Sequence, residues 1–276
     1  MNDIRPIGVF DSGVGGLSVL REIRKELPCE NLLYVADSGY APYGDMPEQL
    51  IEARSVAIIE FLLSQKAKAI VVACNTITGV AIRALRARFL VPIVAMEPAV
   101  KPAAATTKSG VVGVLATTRT LSSDNFLRLQ ERFGANVDIL VQPCPGLADQ
   151  VEVGELAGAK TRALIEQYVQ PMLERGADTI VLGCTHYPFL AALIQSFAGP
   201  EVTIIDPAAA VARELRRRLE ELTLLAPETC SGTERFWTSD APVNAQSIIS
   251  RLWLADVEVL ALPERTRKGQ VYIPQF

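Results

Sequence analysis

Two cysteines carry the polar neighbours that a chemical role requires. Each cysteine comes at the end of a short apolar run and is followed by polar residues. Cys74 is followed by Asn75 and Thr76, and Cys184 is followed by Thr185 and His186. A thiol has a reference pKa of about 8.5 that its surroundings can shift. Two thiols on opposite sides of one carbon can remove a proton from one face and return a proton to the other. A buried cysteine is more often a small apolar residue, but the polar residues that follow favour a functional interpretation.

The single histidine of the chain, His186, lies two positions after Cys184. Residues two apart on an extended chain point to the same face, so the imidazole could act as an acid, a base or an orienting group. A purely structural role is the alternative. In a competing chemistry Cys184 attacks a carbonyl with His186 as its base, which leaves Cys74 unexplained. A single histidine excludes every metal site that needs two or more histidines. The sequence contains no Cys-x-x-C pair, so a thiolate zinc site is not predicted.

A glycine-rich segment at residues 11–16 separates an apolar run from an amphipathic one. Gly13, Gly15 and Ser18 nearly match the dinucleotide-binding fingerprint, and Asp37 stands where a ribose-binding acid would. Because Ser18 replaces the third glycine, a nicotinamide-dependent dehydrogenase is the weaker interpretation. Backbone N–H groups at this helix start would suit a carboxylate as well as a phosphate. A glycine-rich turn would also let a neighbouring loop approach closely.

Apolar runs alternate with amphipathic segments, which predicts parallel βαβ units and an α/β class. Gly8 and Gly113 each start a unit whose second strand lies 26 positions on, so the layout repeats. We predict two similar open, mainly parallel-sheet α/β domains that face each other across a central active-site cleft. Eight runs are typical of strands buried on both faces: Ile7–Phe10, Leu32–Val35, Ala69–Ala73, Val91–Ala95, Val111–Leu115, Asp138–Val141, Thr179–Leu182 and Val202–Ile205.

The domain boundaries follow from this repeat. Residues 1–98 together with 209–276 are predicted to form the first domain, and residues 99–208 the second. Ligands bind beyond the carboxyl ends of the strands in open α/β sheets. Both cysteines lie at such ends, so their thiols should point into one cleft. The segment after Pro207 is predicted to be helical to residue 222, irregular beyond it, and packed back on the first domain.

The composition excludes several classes of protein. The chain has 276 residues, 49% hydrophobic and 21% charged, which suits a globular core rather than disorder. A net charge of −4 gives no electrostatic footprint for nucleic acid. No apolar run reaches the length of about 18 residues that a membrane span needs, and the N-terminus lacks a signal-peptide pattern. We expect a cytoplasmic protein that requires no nucleic acid and no membrane.

Four segments taken together resemble bacterial glutamate racemases, of the aspartate/glutamate racemase superfamily. They are Gly8–Leu17, Pro42–Gly44, Val71–Thr76 and Leu182–Pro188. The resemblance runs in order from about residue 5 to about residue 215. It implies a cofactor-independent isomerase that interconverts L- and D-glutamate and supplies D-glutamate for peptidoglycan synthesis. It also implies a homodimer and neither a metal nor a cofactor.

The resemblance assigns roles to individual residues. Cys74 and Cys184 match the two catalytic thiols, the first for the D-enantiomer and the second for the L-enantiomer. Asp11 and His186 match acid–base helpers beside the two thiols, and Glu152 lies where a further catalytic carboxylate of the family occurs. The predicted substrate contacts are Asp11, Ser12, Tyr43, Gly44, Asn75, Thr76, Thr118, Thr185 and His186.

Two departures from the family pattern concern the walls of the cleft: the loop at residues 143–149, and Pro207 where a serine is common. An aspartate racemase or another two-cysteine isomerase therefore stays open beside glutamate racemase, and assays on both amino acids separate them. A non-catalytic binding protein on the same fold is the alternative from another class. The remaining cysteines match no catalytic position: Cys29, Cys144 and Cys230.

Overall fold

The structure is a computed structural model that describes residues 3–229 and 231–267. Predictions that concern residues 1–2, Cys230 and residues 268–276 lie outside the described residues. The strands are β1 Ile7–Asp11, β2 Leu32–Ala36, β3 Ala69–Val72, β4 Ile93–Ala95, β5 Val111–Ala116, β6 Asp138–Pro143, β7 Thr179–Leu182, β8 Thr203–Ile205, β9 Glu234–Thr238 and β10 Val259–Ala261. All eight predicted strands are among them.

The helices lie between the strands, as βαβ connections require. They are α1 Leu17–Glu26, α2 Glu48–Ser64, α3 Asn75–Arg88, α4 Val100–Thr106, α5 Thr118–Leu121, α6 Asp124–Phe133, α7 Leu147–Glu152, α8 Ala159–Glu174, α9 Ala191–Ala198, α10 Ala208–Glu221, α11 Pro242–Trp253 and α12 Glu264–Arg267. Short 3₁₀ turns cover Ser38–Tyr40, Tyr43–Asp45 and Tyr187–Leu190.

The strands form two parallel sheets, which confirms the predicted fold class. One sheet has the order β10-β9-β2-β1-β3-β4 and the other β6-β5-β7-β8. We call the first sheet with its helices the first half, and the second sheet with its helices the second half. The orders β2-β1-β3-β4 and β6-β5-β7-β8 are equivalent, so the layout repeats. The predicted spacing of 26 positions between the first and second strands of each unit is not an equal pairing register. In the first sheet Gly8 pairs with Leu33, 25 positions on. In the second sheet Gly113 pairs with Leu140, 27 positions on.

The prediction of an irregular segment after residue 222 is wrong. This segment adds β9, α11 and β10, and β9 pairs with β2 along its length, with Phe236 opposite Tyr34. It packs back on the first half, as expected. The sequence of β9, Glu-Arg-Phe-Trp-Thr, begins with two charged residues and is too short for a clear alternation. This strand forms because Phe236 and Trp237 are buried against residues far away in sequence.

Three apolar clusters fill the space between sheets and helices. The largest combines residues of both halves, such as Val9 and Leu17 with Leu182 and Tyr187. Of the other two, one belongs to the first half and one to the second. The halves therefore share a continuous core on one side and keep separate cores on the other.

No helix among residues 3–229 and 231–267 is long and apolar enough to cross a membrane. In the same part of the chain, no group of three or more His, Cys, Asp or Glu residues is placed to hold a metal ion.

Candidate active site

The predicted catalytic side chains lie where strands of the two halves end. Asp11 is the last residue of β1, and Cys74 follows β3 as the residue that caps the start of α3. Cys184 follows β7 after one glycine. Both cysteines are buried, Cys74 with 4% and Cys184 with 7% of its surface exposed. The structure thus places the two thiols at equivalent strand ends of the repeated layout.

Asp11 is fully buried and joins the two halves. Its Oδ1 accepts a hydrogen bond from the Ser12 N–H at 2.7 Å, and its Oδ2 accepts from the Gly16 N–H at 2.5 Å. Oδ2 also accepts from Thr185 Oγ1 of the second half at 3.1 Å. Burial raises the pKa of Asp11, and the positive charge of His186 offsets part of the rise. The carboxyl group therefore holds the glycine-rich loop and the Cys184 loop in fixed relation.

Cys74 lies on the first-half side, next to Ser12 and Asp11. Its Sγ is 3.6 Å from Ser12 Oγ. Burial, and then the negative charge of Asp11, raise the pKa of the Cys74 thiol well above its ordinary value. At neutral pH this sulfur is protonated, so it can donate a proton.

Cys184 begins a chain of hydrogen-bonded groups on the second-half side. Its Sγ is 3.6 Å from His186 Nδ1, and His186 Nε2 is 2.5 Å from Glu152 Oε1. Burial alone would lower the pKa of His186, but the hydrogen bonds to Cys184 and Glu152 outweigh it and raise the pKa well above its ordinary value. A protonated imidazole beside the sulfur stabilises negative charge there.

Glu152 is fixed by groups of the first half as well. Its Oε1 accepts from the Val14 N–H at 2.7 Å, and its Oε2 accepts from Ser38 Oγ at 3.1 Å. A carboxylate held at both oxygens keeps the imidazole of His186 in one orientation.

The glycine-rich loop accommodates these side chains. A Cβ on Gly13 would lie 1.9 Å from Glu152 Oε1, and a Cβ on Gly15 would lie 2.4 Å from His186 Nδ1. Of the interpretations of this loop, close approach of a neighbouring segment is therefore the one that the structure supports. The expectation that its N–H groups serve a ligand is corrected at three positions, since those of residues 12, 14 and 16 already donate to Asp11 or Glu152.

The dehydrogenase interpretation loses its ribose-binding acid. Asp37 is fully buried in an ion pair with Arg54, 2.5 Å between Oδ1 and Nη2, and accepts a hydrogen bond from the Tyr43 hydroxyl. This carboxylate is not available to a nucleotide. The Tyr43 hydroxyl is engaged with this buried carboxylate, and the predicted substrate contact of Tyr43 stays a prediction. Gly44, the next residue, lies against Thr117 of the second half.

A cluster of threonine hydroxyls spans the two halves. Thr76 Oγ1 is 3.0 Å from Thr117 Oγ1 and 3.3 Å from Thr120 Oγ1. The structure does not bring Thr118 into this cluster, because its side chain is exposed. Thr117 and Thr120 were missed by the sequence analysis. The signal that could have found them is the Thr-x-x-Thr spacing at a helix start, where Thr117 caps the N–H of Thr120.

Asn75 is a candidate ligand-binding residue. Its side chain is 97% buried, and neither Nδ2 nor Oδ1 has a hydrogen-bond partner. An unsatisfied buried polar group costs about 1–3 kcal/mol, so such an amide is expected where a ligand completes it. The amide offers both a donor and an acceptor, which suits a molecule with a carboxylate and an ammonium group.

The other cysteines have structural surroundings. Cys144 is buried and its Sγ donates to the Gln142 carbonyl at 3.2 Å. Burial raises the pKa of the Cys144 thiol. Cys29 is half-buried and its Sγ donates to the Glu228 carbonyl at 3.3 Å.

Two parallel-sheet halves with a buried thiol at the equivalent strand end of each define an α/β protein with a candidate acid–base site between its halves. The family model described as Asp/Glu/Hydantoin racemase matches residues 7–215. The chain belongs to this family, which makes it an isomerase.

Within the family the chain is similar to glutamate racemases, as the motifs predict. It is 56% identical to the glutamate racemase of Methylococcus capsulatus, over 94% of this chain and 95% of that protein. It is 54% identical to that of Pseudomonas aeruginosa strain PAO1, over 90% and 93%.

Solved structures agree. Isoform RacE1 of glutamate racemase from Bacillus anthracis has a TM-score of 0.85 at 32% identity, covering 94% of this chain and 97% of that one. The Escherichia coli enzyme, solved with L-glutamate and the activator UDP-MurNAc-ala, has a TM-score of 0.82 at 32% identity over 93% and 97%. Aspartate racemase from Picrophilus torridus, at 17% identity and a TM-score of 0.55 over 78% and 94%, shares the fold.

Proposed function

We propose that this enzyme interconverts L- and D-glutamate by a two-base proton transfer that uses Cys74 and Cys184 and no cofactor. The observation that supports this most is the separate acid–base partner of each thiol. Cys74 Sγ contacts Ser12 Oγ beside Asp11, and Cys184 Sγ contacts His186. A single nucleophilic cysteine would not need two such environments at equivalent strand ends.

The proton path follows from these environments. With L-glutamate, the Cys184 sulfur, its negative charge stabilised by His186, removes the α-proton. The Cys74 thiol then donates its proton to the opposite face of the carbon. The D-enantiomer reacts in the reverse direction, with Cys74 as the base. After each turnover the sulfurs have exchanged their protonation states, and Asp11 and the His186–Glu152 pair are placed to restore them.

The intermediate carbanion needs stabilisation without a cofactor. Every tenfold gain in rate requires about 1.36 kcal/mol of transition-state stabilisation, which fixed dipoles in a dry site can supply. Asn75, with two unpartnered polar atoms, and the hydroxyl cluster around Thr76 are our candidate donors to the substrate. Of the predicted contacts, we keep Ser12 and Thr185, which bond to Asp11, and Gly44, which lies against Thr117. We propose Thr117 and Thr120 in place of Thr118.

We extend the proposal to the cell and to the assembly. The D-glutamate would supply peptidoglycan synthesis in the cytoplasm, and the enzyme would act as a homodimer. We also keep the predicted domains: residues 1–98 with 209–276, and residues 99–208. Similarity to glutamate racemases at more than half identity supports glutamate over aspartate.

Circular dichroism of pure D- or L-glutamate, without added cofactor, tests the function. We expect the wild-type enzyme to bring both solutions to zero ellipticity. Cys74→Ser and Cys184→Ser should each lower the rate by about 10²–10⁴-fold, while Cys29→Ser should retain it. Full activity in either active-site variant would contradict the two-base mechanism. Turnover of aspartate but not of glutamate would keep the chemistry and reject the substrate.

A further inference from the structure

The two sides of the cleft are held together by different kinds of contact. On one side the halves share an apolar core. On the other side, α5 and α6 of the second half meet α3 and the start of α2 in the first half. A cavity of about 260 Å³ separates these elements, and its lining is mainly polar, with Arg83, Ser122 and Arg128 among the residues. Separating polar surfaces exposes little apolar area, so the cleft opens most easily on this second side. We call the contact between α5–α6 and α3 with the start of α2 the mouth of the cleft.

Arg119 crosses the mouth from the second half to the first. Its Nη2 donates to the Met46 carbonyl at 3.0 Å, and its Nη1 is 3.3 Å from Glu48 Oε1. The Arg119 side chain is 29% exposed, against 61% for Glu48. One guanidinium thereby holds the segment that follows Gly44 and the first residue of α2.

The position of Arg119 in α5 couples it to the reaction site. Its neighbours Thr117 and Thr120 bond to Thr76, two residues after the first thiol. Because α5 has only four residues, it moves as one piece with all three side chains. Both catalytic thiols are almost fully buried in this arrangement, so a substrate reaches them only when the two halves separate.

We propose that Arg119 is a latch: by binding the Met46 carbonyl and the Glu48 carboxylate, it holds the two halves closed over the substrate. Arg119 touches no reacting atom, so it is a positioning residue. The proposal rests on the proposed function, because closure has a purpose only if the cleft is the reaction site. Its first test, however, requires no turnover.

Alkylation of the thiols by iodoacetamide, without substrate, measures how often the mouth opens. Mass spectrometry of the peptides follows Cys74, Cys184 and Cys144 separately. In Arg119→Met we expect Cys74 and Cys184 to react about three- to tenfold faster than in the wild type, the ratio expected from losing one hydrogen bond and one exposed ion pair. Cys144 is equally buried but bonds within its own strand end, so its rate should not change.

These rates separate a latch from a general loss of stability. If Cys144 reacts faster in parallel with the other two, Arg119 merely stabilises the fold and the latch is rejected. Unchanged rates at all three cysteines reject it as well. Arg175→Met removes an exposed ion pair to Asp138 within the second half, 3.0 Å long, and is the matched control that should leave every rate as it is.

Steady-state kinetics provide the second test. With the latch removed, the closed complex is less populated, so the KM should rise about three- to tenfold while kcat does not fall. Because the equilibrium constant of racemisation is one, kcat/KM must fall by the same factor for both enantiomers. Arg119→Lys keeps one donor and should recover part of the loss. A fall in kcat at unchanged KM would overturn the proposal.

Glu48→Gln separates a latch from electrostatic attraction of the substrate. If Arg119 served only to attract an anionic substrate, removal of the negative charge of Glu48 would lower the KM. The latch predicts the opposite: the KM of Glu48→Gln should rise, and Cys74 and Cys184 should be alkylated faster than in the wild type. The rise in KM should be smaller than in Arg119→Met, because the bond of Arg119 to the Met46 carbonyl remains. A lower KM in Glu48→Gln would reject the latch.

Discussion

The two thiols that we propose as catalytic have opposite electrostatic surroundings. Cys74 lies beside the buried carboxyl of Asp11, and both groups have raised pKa values, chiefly through burial. Cys184 lies beside His186, whose pKa is raised by hydrogen bonds to Cys184 and Glu152 that outweigh burial. A proton therefore resides on Cys74 while positive charge faces Cys184. For the proposed reaction, this arrangement suits removal of a proton on the Cys184 side and its replacement on the Cys74 side.

Replacing Glu152 by glutamine tests this arrangement. The variant loses a negative charge 2.5 Å from His186 Nε2, so the pKa of His186 should fall. If the protonated imidazole supports catalysis, activity declines as the pH rises through this pKa. In Glu152→Gln the alkaline limb of the kcat–pH profile should therefore move to lower pH. Glu155→Gln, an exposed residue three positions on, should leave the limb in place.

The same pair predicts a pH dependence of stability. A group whose pKa is raised on folding binds its proton more tightly in the folded state. Its contribution is fully present below about pH 6.5, the unfolded value for histidine, and is lost as pH rises through the raised value. The Tm difference between wild type and Glu152→Gln should therefore be largest near pH 6 and shrink at alkaline pH. A difference that grows with pH would contradict a protonated His186.

The sequence identifies the candidate reacting groups more readily than it identifies the groups that position them. Cys74, Cys184, Asp11 and His186 lie in contiguous motifs. The bond between His186 and Glu152 joins residues 34 positions apart, and no local pattern encodes it. Thr118 was chosen for its place after a strand, whereas the capping geometry turns Thr117 and Thr120 inward.

At the scale of elements, the loop between β1 and α1 is built to fit side chains of the other half. Gly13→Ala would place a methyl group against Glu152, and Gly15→Ala against His186. Because both neighbours are held by further bonds, we expect kcat to fall by about a hundredfold in each variant, the effect of a displacement of roughly 1 Å. Gly158→Ala, whose Cβ would meet only the end of the flexible Glu155 side chain, should remain active.

The sequence analysis did not predict β9 and β10, although they form a parallel pair joined by α11. β9 lies between β10 and β2, and its pairing with β2 joins it to a strand much earlier in the chain. Its order depends on tertiary contacts such as the edge-to-face packing of Trp237 on Phe61, with centroids 5.4 Å apart. Phe, Trp and Thr favour strands, but a strand of five residues that begins with two charged ones shows no alternation that would reveal it.

Truncation of Trp237 measures what this strand contributes. Trp237→Ala should lower the free energy of unfolding by about 3–5 kcal/mol, the range for a buried aromatic residue, as followed by urea denaturation. Trp237→Phe retains an aromatic ring against Phe61 and should cost less. Val243→Ala, at an exposed position of α11, should stay within about 0.5 kcal/mol of the wild type. A small effect of Trp237→Ala would mean that β9 contributes little to the stability of the fold.

At the scale of the whole molecule, the repeated strand order and the shared core place a buried thiol from each half at the proposed two-sided acid–base site. Each half supplies one thiol at the end of its third strand. The halves are joined through Asp11 to Thr185, through Glu152 to Val14, and through the threonine cluster. Substrate in the cleft should add further contacts to both halves at once, with Asn75 among the first-half donors.

Binding of glutamate should therefore stabilise the entire molecule rather than one half. A ligand at 100 times its Kd that binds only the folded state adds about 2.7 kcal/mol to the free energy of unfolding. Cys74→Ser and Cys184→Ser are the variants to use, because each should leave an added enantiomer unconverted. We expect Tm to rise in a single transition with D- and with L-glutamate in both variants, and to rise less with aspartate. Asn75→Ala should reduce the rise, since it removes the unpartnered amide.

A larger shift with aspartate would transfer the substrate assignment to the shorter amino acid, and two separate transitions would mean that the halves unfold independently.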